Sequence, residues 1–470
     1  MGSNPAGPIP SAARTMNILA ERIKILRGGE PVCGAFVLYW MQQSQRAHCN
    51  HALEYAATRA NALALPLVVC FGLTNYPEAN LRHYTFMLEG LVETAAALRE
   101  RKIRFVLRFG DPAEVALQIA RCAALMVCDR GYLRVQKTWR QKVAAEAGCP
   151  VVQVESDVIV PVEIASQKQE FAARTLRPKL ERAFAKFLHL PAAVQPKHSS
   201  LGLKLRGERI SPALLRKLQL DESVPAVTQF FRGGTSAAEK LFRGFLRDRF
   251  GAYRENRNQP QTNNVSHMSK YLHFGQVSPI WLAIAARKER AAGRENIASF
   301  IDELLVRREL ATNFCEFNPD YDRYDALPDW ARKTLSQHRR DKRPHLYSRA
   351  ELEAGATHDP YWNAAMREMR VTGYMHNYMR MYWGKKILAW SPTPEQAHAT
   401  ALAINNKFFL DGRDANSFAN IGWLFGLHDR PWPKRKIFGK IRCMTAAGLE
   451  RKCDIAAYVA QVNALADCDR

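Results

Sequence analysis

The sequence predicts two folded domains: an α/β domain with a doubly wound parallel sheet, followed by an all-α domain. Three observations support this fold class. The chain has 470 residues, which exceeds the size that one hydrophobic core usually serves. From Pro31 to Pro161 short apolar segments alternate with helical patterns, as in a parallel sheet covered by helices on both faces. Beyond Thr235 the strand signals fade and helical patterns follow one another.

The α/β domain is expected at residues 29–165. Its strand candidates are CGAFVLYW, ALPLVVCFGL, KIRFVLRFGD, ALMVCDRG and VVQVESDVIV, and the stretch from Tyr84 to Lys102 has helical periodicity. No GxGxxG motif follows the first strand, so the dinucleotide-binding fingerprint of this fold class is absent. Residues 1–28 begin with MGSNPAGPIPSAART, a segment rich in small residues, Pro and Gly that predicts a disordered tail.

Residues 166–234 are expected to form an interdomain linker, because the hydrophobic periodicity weakens and prolines and basic residues are scattered there. The helical domain is expected at residues 235–465. Its helices are predicted in SAAEKLFRGFLRDRFGAY, SPIWLAIAARKERA, NIASFIDELLVRRELATNFCEF, YWNAAMREMRVTGYMHNYMRMYWGKKILAW and TPEQAHATALAINNKF. Seven of the nine tryptophans fall at or after Trp281, which is more large rings with a polar handle than a helical core requires.

The composition indicates an intracellular protein with a polyanionic partner. The formal net charge is +23 and the pI is about 9.7. Such a field attracts phosphates, so nucleic acid is the leading partner, and a merely basic protein is the alternative. The ten cysteines contain no CxxC pair, which favours reduced thiols. His48, Cys49 and His51 are read as part of a helix, and no metal site is predicted. No segment reaches the roughly 20 apolar residues that span a bilayer.

The segment NNKFFLDGRDANSFANIGWLFGLHDRPW, residues 405–432, is the one that a simple apolar core explains least well. It places amides, aspartates, an arginine and glycines between aromatic residues, and every buried polar group needs a partner. A flat polar ligand suits this composition. The basic run PWPKRKIFGKIR overlaps its end and either contacts phosphates or is an ordinary solvated tail.

Two further clusters allow both a structural and a functional interpretation. Ser266 and Ser269, in NNVSHMSKYLHFGQVSP, either donate to phosphate oxygens or simply cap a helix. Glu303 and Arg307 stand at i and i+4 of a predicted helix. They either form a surface ion pair or serve a more buried site in which the glutamate needs a specific partner.

A third cluster consists of tryptophans. Trp383 and Trp390 are seven residues apart, so they lie near one face of a helix and are separated by roughly 10 Å of rise. Trp362 falls in a neighbouring helix. Spacing of this kind suits core packing as well as electron transfer, and the spacing alone does not choose between them.

These ordered motifs resemble the DNA photolyase and cryptochrome superfamily, and most closely the class II photolyases that act on cyclobutane pyrimidine dimers. The matching motifs are SKYLHFGQVS, DELLVRREL, YMRMYWGKKILAW, NNKFFLDGRD, NIGW followed by HDRPW, and VLYWM with QRAHCNHAL near the N-terminus. The resemblance covers nearly all of the chain after about residue 20. It implies a Rossmann-like N-terminal antenna domain followed by a helical FAD-binding domain.

The resemblance also implies that FAD, active as a reduced anion, binds in the helical domain. Arg380 and Asp411 are expected as an ion pair beside the flavin ring, with Asn405 facing its N5 atom. The full set of matched cofactor residues is Tyr253, Ser266, Met268, Ser269, Arg307, Arg380, Asn405, Asp411, Asp414 and Asn416. The family's photoreduction chain, which passes electrons from the surface to oxidised flavin, is matched by Trp383, Trp362 and Trp390.

The activity implied by the resemblance is light-driven DNA repair. Excited reduced flavin passes an electron to a flipped-out dimer, the ring splits and the electron returns. Glu303 is expected to bind the lesion's base edge, Trp423 to stack on the lesion and Met381 to line its pocket. Together with the phosphate contacts, the expected DNA-binding residues are Glu303, Met381, Trp423, Arg430, Lys434, Arg435, Lys436 and Lys440.

One departure from the family pattern affects the antenna chromophore. The chain has Asn50 and His51 where an Asn-Trp pair is expected, so an antenna such as a deazaflavin is left open. A monomer without an obligate protein partner is expected. Two other functions are retained: a cryptochrome, which senses light without repair, and a non-enzymatic basic helical DNA-binding protein, which explains the charge but not the tryptophans.

Overall fold

The computed structural model describes residues 18–467. Its N-terminal part is a six-stranded sheet with the order β1-β6-β5-β2-β3-β4. The strands are Ile23–Arg27 (β1), Phe36–Trp40 (β2), Leu67–Leu73 (β3), Arg104–Phe109 (β4), Ala123–Asp129 (β5) and Val151–Val154 (β6). Neighbouring strands are parallel except β1, which pairs antiparallel with β6. The predicted α/β fold is confirmed, with one antiparallel edge strand that the sequence did not reveal.

Strand β1 corrects the predicted N-terminal tail. The tail was expected to reach residue 28, yet the structure has a 3-10 turn at Ala20–Arg22 followed directly by β1. The buried Arg22 guanidinium donates to the carbonyl oxygens of Val158 and Ile159, at 3.2 and 2.6 Å, and so anchors this segment. The strand escaped detection because it is an edge strand with exposed residues in its middle. Residues 1–17 of the predicted tail lie outside the described residues.

Five helices accompany the sheet: His51–Ala62 (α1), Leu81–Glu100 (α2), Pro112–Ala120 (α3), Arg134–Glu146 (α4) and Val162–Ala165 (α5). The helix expected across His48, Cys49 and His51 starts only at His51. Asn50 is its N-cap, because the Asn50 side chain accepts hydrogen bonds from the backbone N–H groups of the next helical turn. Cys49 has a φ of 51°, which lies outside the right-handed helical region.

The expected linker at residues 166–234 contains a helix, Ala173–Phe187 (α6), that the sequence did not predict. Pro178 lies inside it, and a proline there normally argues against a helix. The helix is amphipathic, with Leu180 on its buried face. Farther along, the segment crosses the β4 side of the sheet, where the backbone N–H of Glu208 donates to the Leu107 carbonyl oxygen at 2.7 Å.

The C-terminal part is helical, as predicted. Its helices are Thr235–Asp248 (α7), Tyr253–Asn256 (α8), Ser269–His273 (α9), Pro279–Lys288 (α10), Arg294–Ile301 (α11), Arg308–Phe317 (α12), Asp329–Gln337 (α13), Arg349–Ala354 (α14), Pro360–Thr372 (α15), Asn377–Trp390 (α16), Pro394–Phe408 (α17), Ala415–Leu424 (α18), Ala446–Glu450 (α19) and Ile455–Asp467 (α20). Gly373, with a φ of 70°, ends α15 and divides the long segment predicted before Trp390. Within residues 18–467 no helix is both long and apolar enough to cross a membrane.

A π-helical segment, Asp302–Arg307, lies between α11 and α12. Because backbone hydrogen bonds in a π-helix run from i to i+5, residues at i and i+4 no longer stack as they do in an α-helix. The Glu303 carboxylate is bonded to Arg257, whereas the Arg307 Nε lies 3.6 Å from a carboxylate oxygen of Asp302. The interpretation of Glu303 and Arg307 as a surface ion pair is therefore wrong.

Glu309 of α12 connects the helical part to the α/β part. Its carboxylate accepts hydrogen bonds from the backbone N–H groups of Ile159 and Val160, at 2.6 and 3.3 Å. Burial raises the pKa of Glu309 to about 8, although these N–H donors and Arg308 act in the opposite direction. The buried carboxyl group is therefore held more readily in its neutral form.

We expect Glu309→Gln to flatten the pH dependence of stability between roughly pH 5 and pH 8. The folded-state pKa of Glu309 lies above the ordinary value of 4.5. The stability that the neutral Glu309 carboxyl contributes is therefore complete below pH 4.5 and is lost as the pH rises toward 8. Glutamine keeps the acceptor oxygen and cannot ionise. Over this range the free energy of unfolding of the wild type should fall by about 1–3 kcal/mol relative to that of Glu309→Gln. Apparent melting temperatures measured at several pH values test this, and parallel curves would contradict it.

Candidate functional site

A buried ion pair joins α16 to the loop between α17 and α18. The two terminal nitrogens of Arg380 donate to the two carboxylate oxygens of Asp411, at 3.0 and 3.1 Å. The Arg380 Nε donates to the Met375 carbonyl oxygen at 3.0 Å, and the guanidinium lies 3.7 Å from the centroid of the Phe409 ring. These contacts hold the positive charge in one orientation, as is typical of bidentate arginine–carboxylate pairs.

Neighbouring groups adjust the charge state of this pair. Burial acts to raise the pKa of Asp411, but Arg380, the Ser269 hydroxyl and Lys270 outweigh burial and leave the pKa below its ordinary value. Burial lowers the pKa of Lys270 to about 7, and the negative charge of Asp411 offsets part of this lowering. The Lys270 ammonium lies 3.6 Å from the centroid of the Phe231 ring. The carboxylate therefore remains ionised and is matched by the permanent cation of Arg380.

Asn405 lies on α17 beside the same loop and is buried. Its Nδ2 donates to Oδ1 of Asn406 at 3.1 Å, but its own carboxamide oxygen accepts no hydrogen bond from any residue between 18 and 467. A Cβ at Gly412 would lie only 2.9 Å from the Asn405 carbonyl oxygen, so the loop approaches α17 closely because residue 412 is glycine. Since no protein group in the described residues occupies this oxygen, it is open to a ligand or to water.

The other residues predicted to contact the cofactor lie around α8 and α9. Ser269 begins α9, and its hydroxyl lies close enough to Asp411 to help lower the pKa of that carboxylate. Met268 is buried in the core of the helical part, and Ser266 is half-buried in the loop before it. Tyr253 is buried among aromatic rings, including Phe300 at a centroid distance of 5.8 Å. Arg307 is half-exposed and points to Asp302.

Three buried tryptophans extend away from the ion pair. The Trp383 ring is 1% exposed and contacts Phe409 edge-on, at a centroid distance of 6.3 Å. Trp362 Nε1 donates to the Trp383 carbonyl oxygen at 3.0 Å. The Trp362 and Trp390 rings meet at a centroid distance of 5.6 Å and an angle of 68°. The structure thus brings the three predicted tryptophans into one connected row that starts beside the Phe409 ring under Arg380.

A second aromatic surface lies on α18. The Trp423 ring is half-buried, with the Lys385 ammonium 4.8 Å and the Arg442 guanidinium 5.9 Å from its centroid. Lys385 is fully buried and donates to the Leu424 carbonyl oxygen at 2.6 Å. Met381 precedes Lys385 by one turn of α16, so it shares the helix face toward Trp423. A lesion pocket shared by Met381 and Trp423 stays a prediction.

The basic residues after α18 lie in an ordered loop and not in a flexible tail. The loop is closed by reciprocal backbone hydrogen bonds between Arg435 and Gly439, each 2.8 Å long, and by the Trp432 N–H donating to the Lys440 carbonyl oxygen. The buried Ile437 donates its backbone N–H to Asp341 at 2.7 Å. Five exposed cations have no carboxylate within ion-pair distance in the described part of the chain: Arg430, Lys434, Arg435, Lys436 and Lys440.

Asp414 and Asn416, at the start of α18, line a cleft between the two parts of the molecule. One carboxylate oxygen of Asp414 accepts from the backbone N–H and the side-chain amide of Asn416, at 2.8 and 2.9 Å, and the other lies 3.3 Å from His273 Nδ1. Burial opposes ionisation, but His273 and these donors lower the pKa of Asp414 to about 2. The opposite wall comes from the α/β part and includes Gln43, Tyr76 and Trp139.

Comparison with known proteins identifies the family of the chain. Residues 37–197 match the family model described as DNA photolyase. Over 453 residues the chain is 47% identical to a deoxyribodipyrimidine photo-lyase from Methanothermobacter thermautotrophicus, which covers 96% of this chain and 100% of that protein. The chain belongs to the DNA photolyase family. A deoxyribodipyrimidine photo-lyase from Oryza sativa subsp. japonica is 38% identical and covers 98% of this chain and 94% of that protein.

The photolyase fold extends over both parts of the molecule. A bacterial class III photolyase from Agrobacterium tumefaciens superposes with a TM-score of 0.71 at 19% identity, over 92% of this chain and 87% of that one. An archaeal photolyase from Sulfolobus tokodaii with two FAD molecules superposes with a TM-score of 0.69 at 16% identity, over 90% and 89% of the two chains. The predicted photolyase/cryptochrome fold is confirmed.

Membership of the photolyase family implies FAD, and the residues beside the ion pair fit this cofactor. The Arg380 charge is held in place, the Asn405 oxygen lacks a hydrogen-bond partner within residues 18–467, and the Ser269 hydroxyl lies close to Asp411. A fixed cation, an amide and a hydroxyl are the groups that hold an anionic, hydrogen-bonding ring system. These residues would therefore hold the flavin.

Several candidate functional residues of this photolyase were not predicted from its sequence. Arg257 binds Glu303, and Lys270 interacts electrostatically with both Asp411 and Arg380. Lys385 and Arg442 flank Trp423. A signal for Lys385 was present, because it interrupts the otherwise apolar end of YMRMYWGKKILAW and a lysine in such a context must find a specific partner. Arg257 and Arg442 lie in polar loops, where nothing distinguishes them from solvated cations.

Proposed function

We propose that this photolyase repairs cyclobutane pyrimidine dimers in DNA, driven by light, with reduced FAD as electron donor. When bound, FAD supplies light absorption and transfer of one electron to the dimer and back. One observation carries the proposal: a fixed Arg380–Asp411 pair in the loop that packs on Asn405, in a chain 47% identical over 96% of its length to a deoxyribodipyrimidine photo-lyase. The ordered sequence motifs favour class II.

The lesion is proposed to bind between Glu303, Met381 and Trp423. A dimer must leave the duplex to reach a buried cofactor, and its cost of unstacking is offset by new stacking and hydrogen bonds. Trp423 presents an aromatic face of the kind whose stacking contributes roughly 1–3 kcal/mol per base. One oxygen of Glu303 is held by Arg257, while the other accepts no hydrogen bond in residues 18–467 and is free for a base edge.

The ordered basic loop is proposed to bind the DNA backbone beside the flipped dimer. Its five exposed cations, from Arg430 to Lys440, have no competing carboxylate in the described part of the chain. Phosphate contacts of this kind set affinity and orientation without reading sequence, and they weaken as the salt concentration rises. The loop follows α18, and Arg442 just beyond it supports the proposal, since its guanidinium lies 5.0 Å from the Trp432 ring centroid and 5.9 Å from that of Trp423.

The resting redox state is proposed to be the reduced anion of the flavin. Arg380 would supply a permanent positive charge to the bound flavin, and this charge would stabilise the anion more than a neutral flavin. Trp383, Trp362 and Trp390 are proposed to carry electrons inward when the cofactor becomes oxidised. Their connected row begins next to Phe409, on which Arg380 is stacked.

The interdomain cleft is the proposed place of an antenna chromophore such as a deazaflavin. Tyr76 and Trp139 meet edge-on in its wall at a centroid distance of 6.3 Å, and Gln43 adds polar groups for a planar heterocycle. His51, where the sequence departs from the family pattern, is buried at the start of α1 and is not among the lining residues. An intracellular monomer acting without a protein partner completes the proposal.

The decisive experiment compares repair in light and in darkness. We expect the chemically reduced, FAD-containing protein to remove cyclobutane dimers from ultraviolet-damaged oligonucleotides under blue light and not in the dark. Dimers can be counted by chromatography of the digested DNA. Binding of damaged DNA and light absorption without any loss of dimers would favour a cryptochrome. A protein that purifies without flavin would favour a non-enzymatic DNA-binding protein.

A further inference from the structure

The segment of residues 197–209 carries a line of cations along an outer edge of the sheet. Strand β4 is the last strand in the sheet order, and this segment lies beside it. The Ser200 hydroxyl oxygen accepts the backbone N–H of Arg104 at 2.7 Å. A Cβ at Gly207 would lie 3.2 Å from the Leu107 carbonyl oxygen, so glycine permits a close approach to β4. The segment is therefore fixed on the strand, although the sequence predicted a linker there.

Side chains at the centre of this segment face the core and the solvent alternately. Leu203 and Leu205 are half-buried and pack against the hydrophobic cluster that contains Val106 of β4. Lys204 and Arg206, which alternate with these leucines, are exposed. Neither of these two side chains makes a hydrogen bond or an ion pair with any residue between 18 and 467. Packing of the leucines thus anchors the segment and leaves both cations free for a partner.

Two arginines of β4 add charges whose positions are fixed. The terminal nitrogens of Arg104 donate to the carbonyl oxygens of Leu201 and Leu205, at 3.1 and 2.7 Å. The Arg108 Nε donates to the Arg206 carbonyl oxygen at 3.0 Å. A guanidinium has five N–H groups, so each of the two arginines retains donors for a further acceptor. Together with the neighbouring exposed cations they form a group called the β4 strip: Lys102, Arg104, Arg108, Lys197, Lys204, Arg206 and Arg209.

No acidic side chain offsets the charge of the β4 strip. None of its seven cations has a carboxylate within ion-pair distance among residues 18–467. Glu208 is the one acidic residue of the segment 197–209, and it pairs with Lys217 at 2.8 Å. Like charges that are held close together repel one another, so binding of an anionic partner to the strip is favourable.

The exposed side chains of the segment indicate a polyphosphate as the partner. A protein partner would bury an apolar centre, and a membrane surface would receive inserted apolar side chains. Leu201, 38% exposed, is the single exposed apolar side chain of residues 197–209. Strand β4 is roughly 17 Å long, and a DNA duplex presents about ten phosphates over that distance. A stiff row of phosphates at this density meets several of the cations at once.

We propose that the β4 strip binds the phosphate backbone of undamaged duplex DNA, as a second DNA contact separate from the lesion pocket. The proposed lesion pocket and the basic loop belong to the helical part, whereas the strip lies on the α/β part. Phosphate contacts read no sequence, so the strip holds the protein on any duplex while the lesion pocket is empty. Binding there requires neither flavin, nor light, nor a dimer, so the inference goes beyond the proposed repair function.

The test measures binding of the full-length, FAD-containing protein to a long undamaged duplex at several salt concentrations. The variant Lys197→Gln/Lys204→Gln/Arg206→Gln removes three exposed cations of the strip. We expect it to bind the duplex several-fold more weakly and to reduce the slope of log affinity against log salt by roughly 2–3. Binding of a short single-stranded oligonucleotide that contains one dimer should be unchanged, because that probe occupies the lesion pocket alone.

The matched control is Lys240→Gln/Lys288→Gln/Arg290→Gln, which removes the same charge from exposed positions of the helical part. The control should retain the wild-type salt dependence, and both variants should keep the wild-type melting temperature. An equal loss of duplex binding in the control would show that net charge alone matters and would overturn the inference. So would wild-type duplex binding by the strip variant, or weakened binding to phosphatidylserine vesicles or polyglutamate in place of DNA.

Dimer removal from the short oligonucleotide under blue light is measured with the same proteins. The strip variant should remove dimers at the wild-type rate, since the strip lies outside the lesion pocket. A weaker duplex affinity of the strip variant, without dimer removal by any of the proteins, would refute the proposed repair function and leave this inference standing. Dimer removal together with an unchanged duplex affinity would do the reverse.

Discussion

Replacement of Trp383 by phenylalanine should abolish photoreduction of oxidised flavin while leaving repair by the chemically reduced protein intact. Trp383 is the tryptophan of the row nearest the Arg380 site, and its indole is 1% exposed with an Nε1 that has no acceptor within residues 18–467. Phenylalanine is far harder to oxidise than tryptophan, so the row loses its first donor. Repair itself requires only the reduced cofactor and the dimer and does not pass through the row.

The measurement for Trp383→Phe follows flavin absorbance under blue light with an external thiol present, and then dimer removal after chemical reduction. Trp281→Phe is the matched control, because Trp281 packs on Phe242 outside the row. Photoreduction at the wild-type rate in Trp383→Phe would mean that the tryptophans serve packing. A variant that loses repair as well would indicate that the substitution damages the cofactor site. The phenylalanine ring is smaller than the indole and fills less of the core position, which lowers stability.

The fold was predictable where patterns are local. Strands β2, β3, β5 and β6 are apolar segments buried on both faces, and such segments are recognisable in the sequence. The edge strand β4 is only partly buried, but its FVL centre still gives an apolar signal. Strand β1 was not predictable, because pairing with β6 and the hydrogen bonds of Arg22 hold it in the sheet, and neither is a local feature of its sequence. Helix α6 was hidden by Pro178, since the sequence carries the proline's local penalty but not the packing that offsets it.

The candidate site was predictable in its residue types and less so in its pairings. The Arg380–Asp411 pair has the expected partners, yet Glu303 binds Arg257, which is 46 residues away along the chain. Helical spacing suggested Arg307 instead, and it failed because a π-helical segment changes which residues align. Ion pairs between distant segments depend on how the helices pack in the tertiary structure, and a single sequence does not show which segments pack together.

Replacement of Arg380 by alanine should have the largest effect on cofactor retention. Asp411 is 9% exposed and ionised, so removing Arg380 leaves the buried carboxylate with only Ser269 and Lys270 to favour its charge, at a cost of up to about 3–5 kcal/mol. We expect purified Arg380→Ala to contain little flavin and to melt at a lower temperature than the wild type. Flavin content is read from the ratio of flavin to protein absorbance, and unchanged content with unchanged reduction behaviour would contradict a role for the pair.

Two companion variants separate lost stability from lost recognition of the flavin. Arg380→Lys retains a charge but not the two parallel hydrogen bonds, so flavin content should lie between those of the alanine variant and the wild type. Arg380→Ala combined with Asp411→Ala removes both charges and should recover much of the melting temperature, because no uncompensated carboxylate remains. Flavin content in this double variant should stay low, since the fixed cation that favours the anion is still missing. Recovery of both properties together would show that the pair stabilises the fold alone.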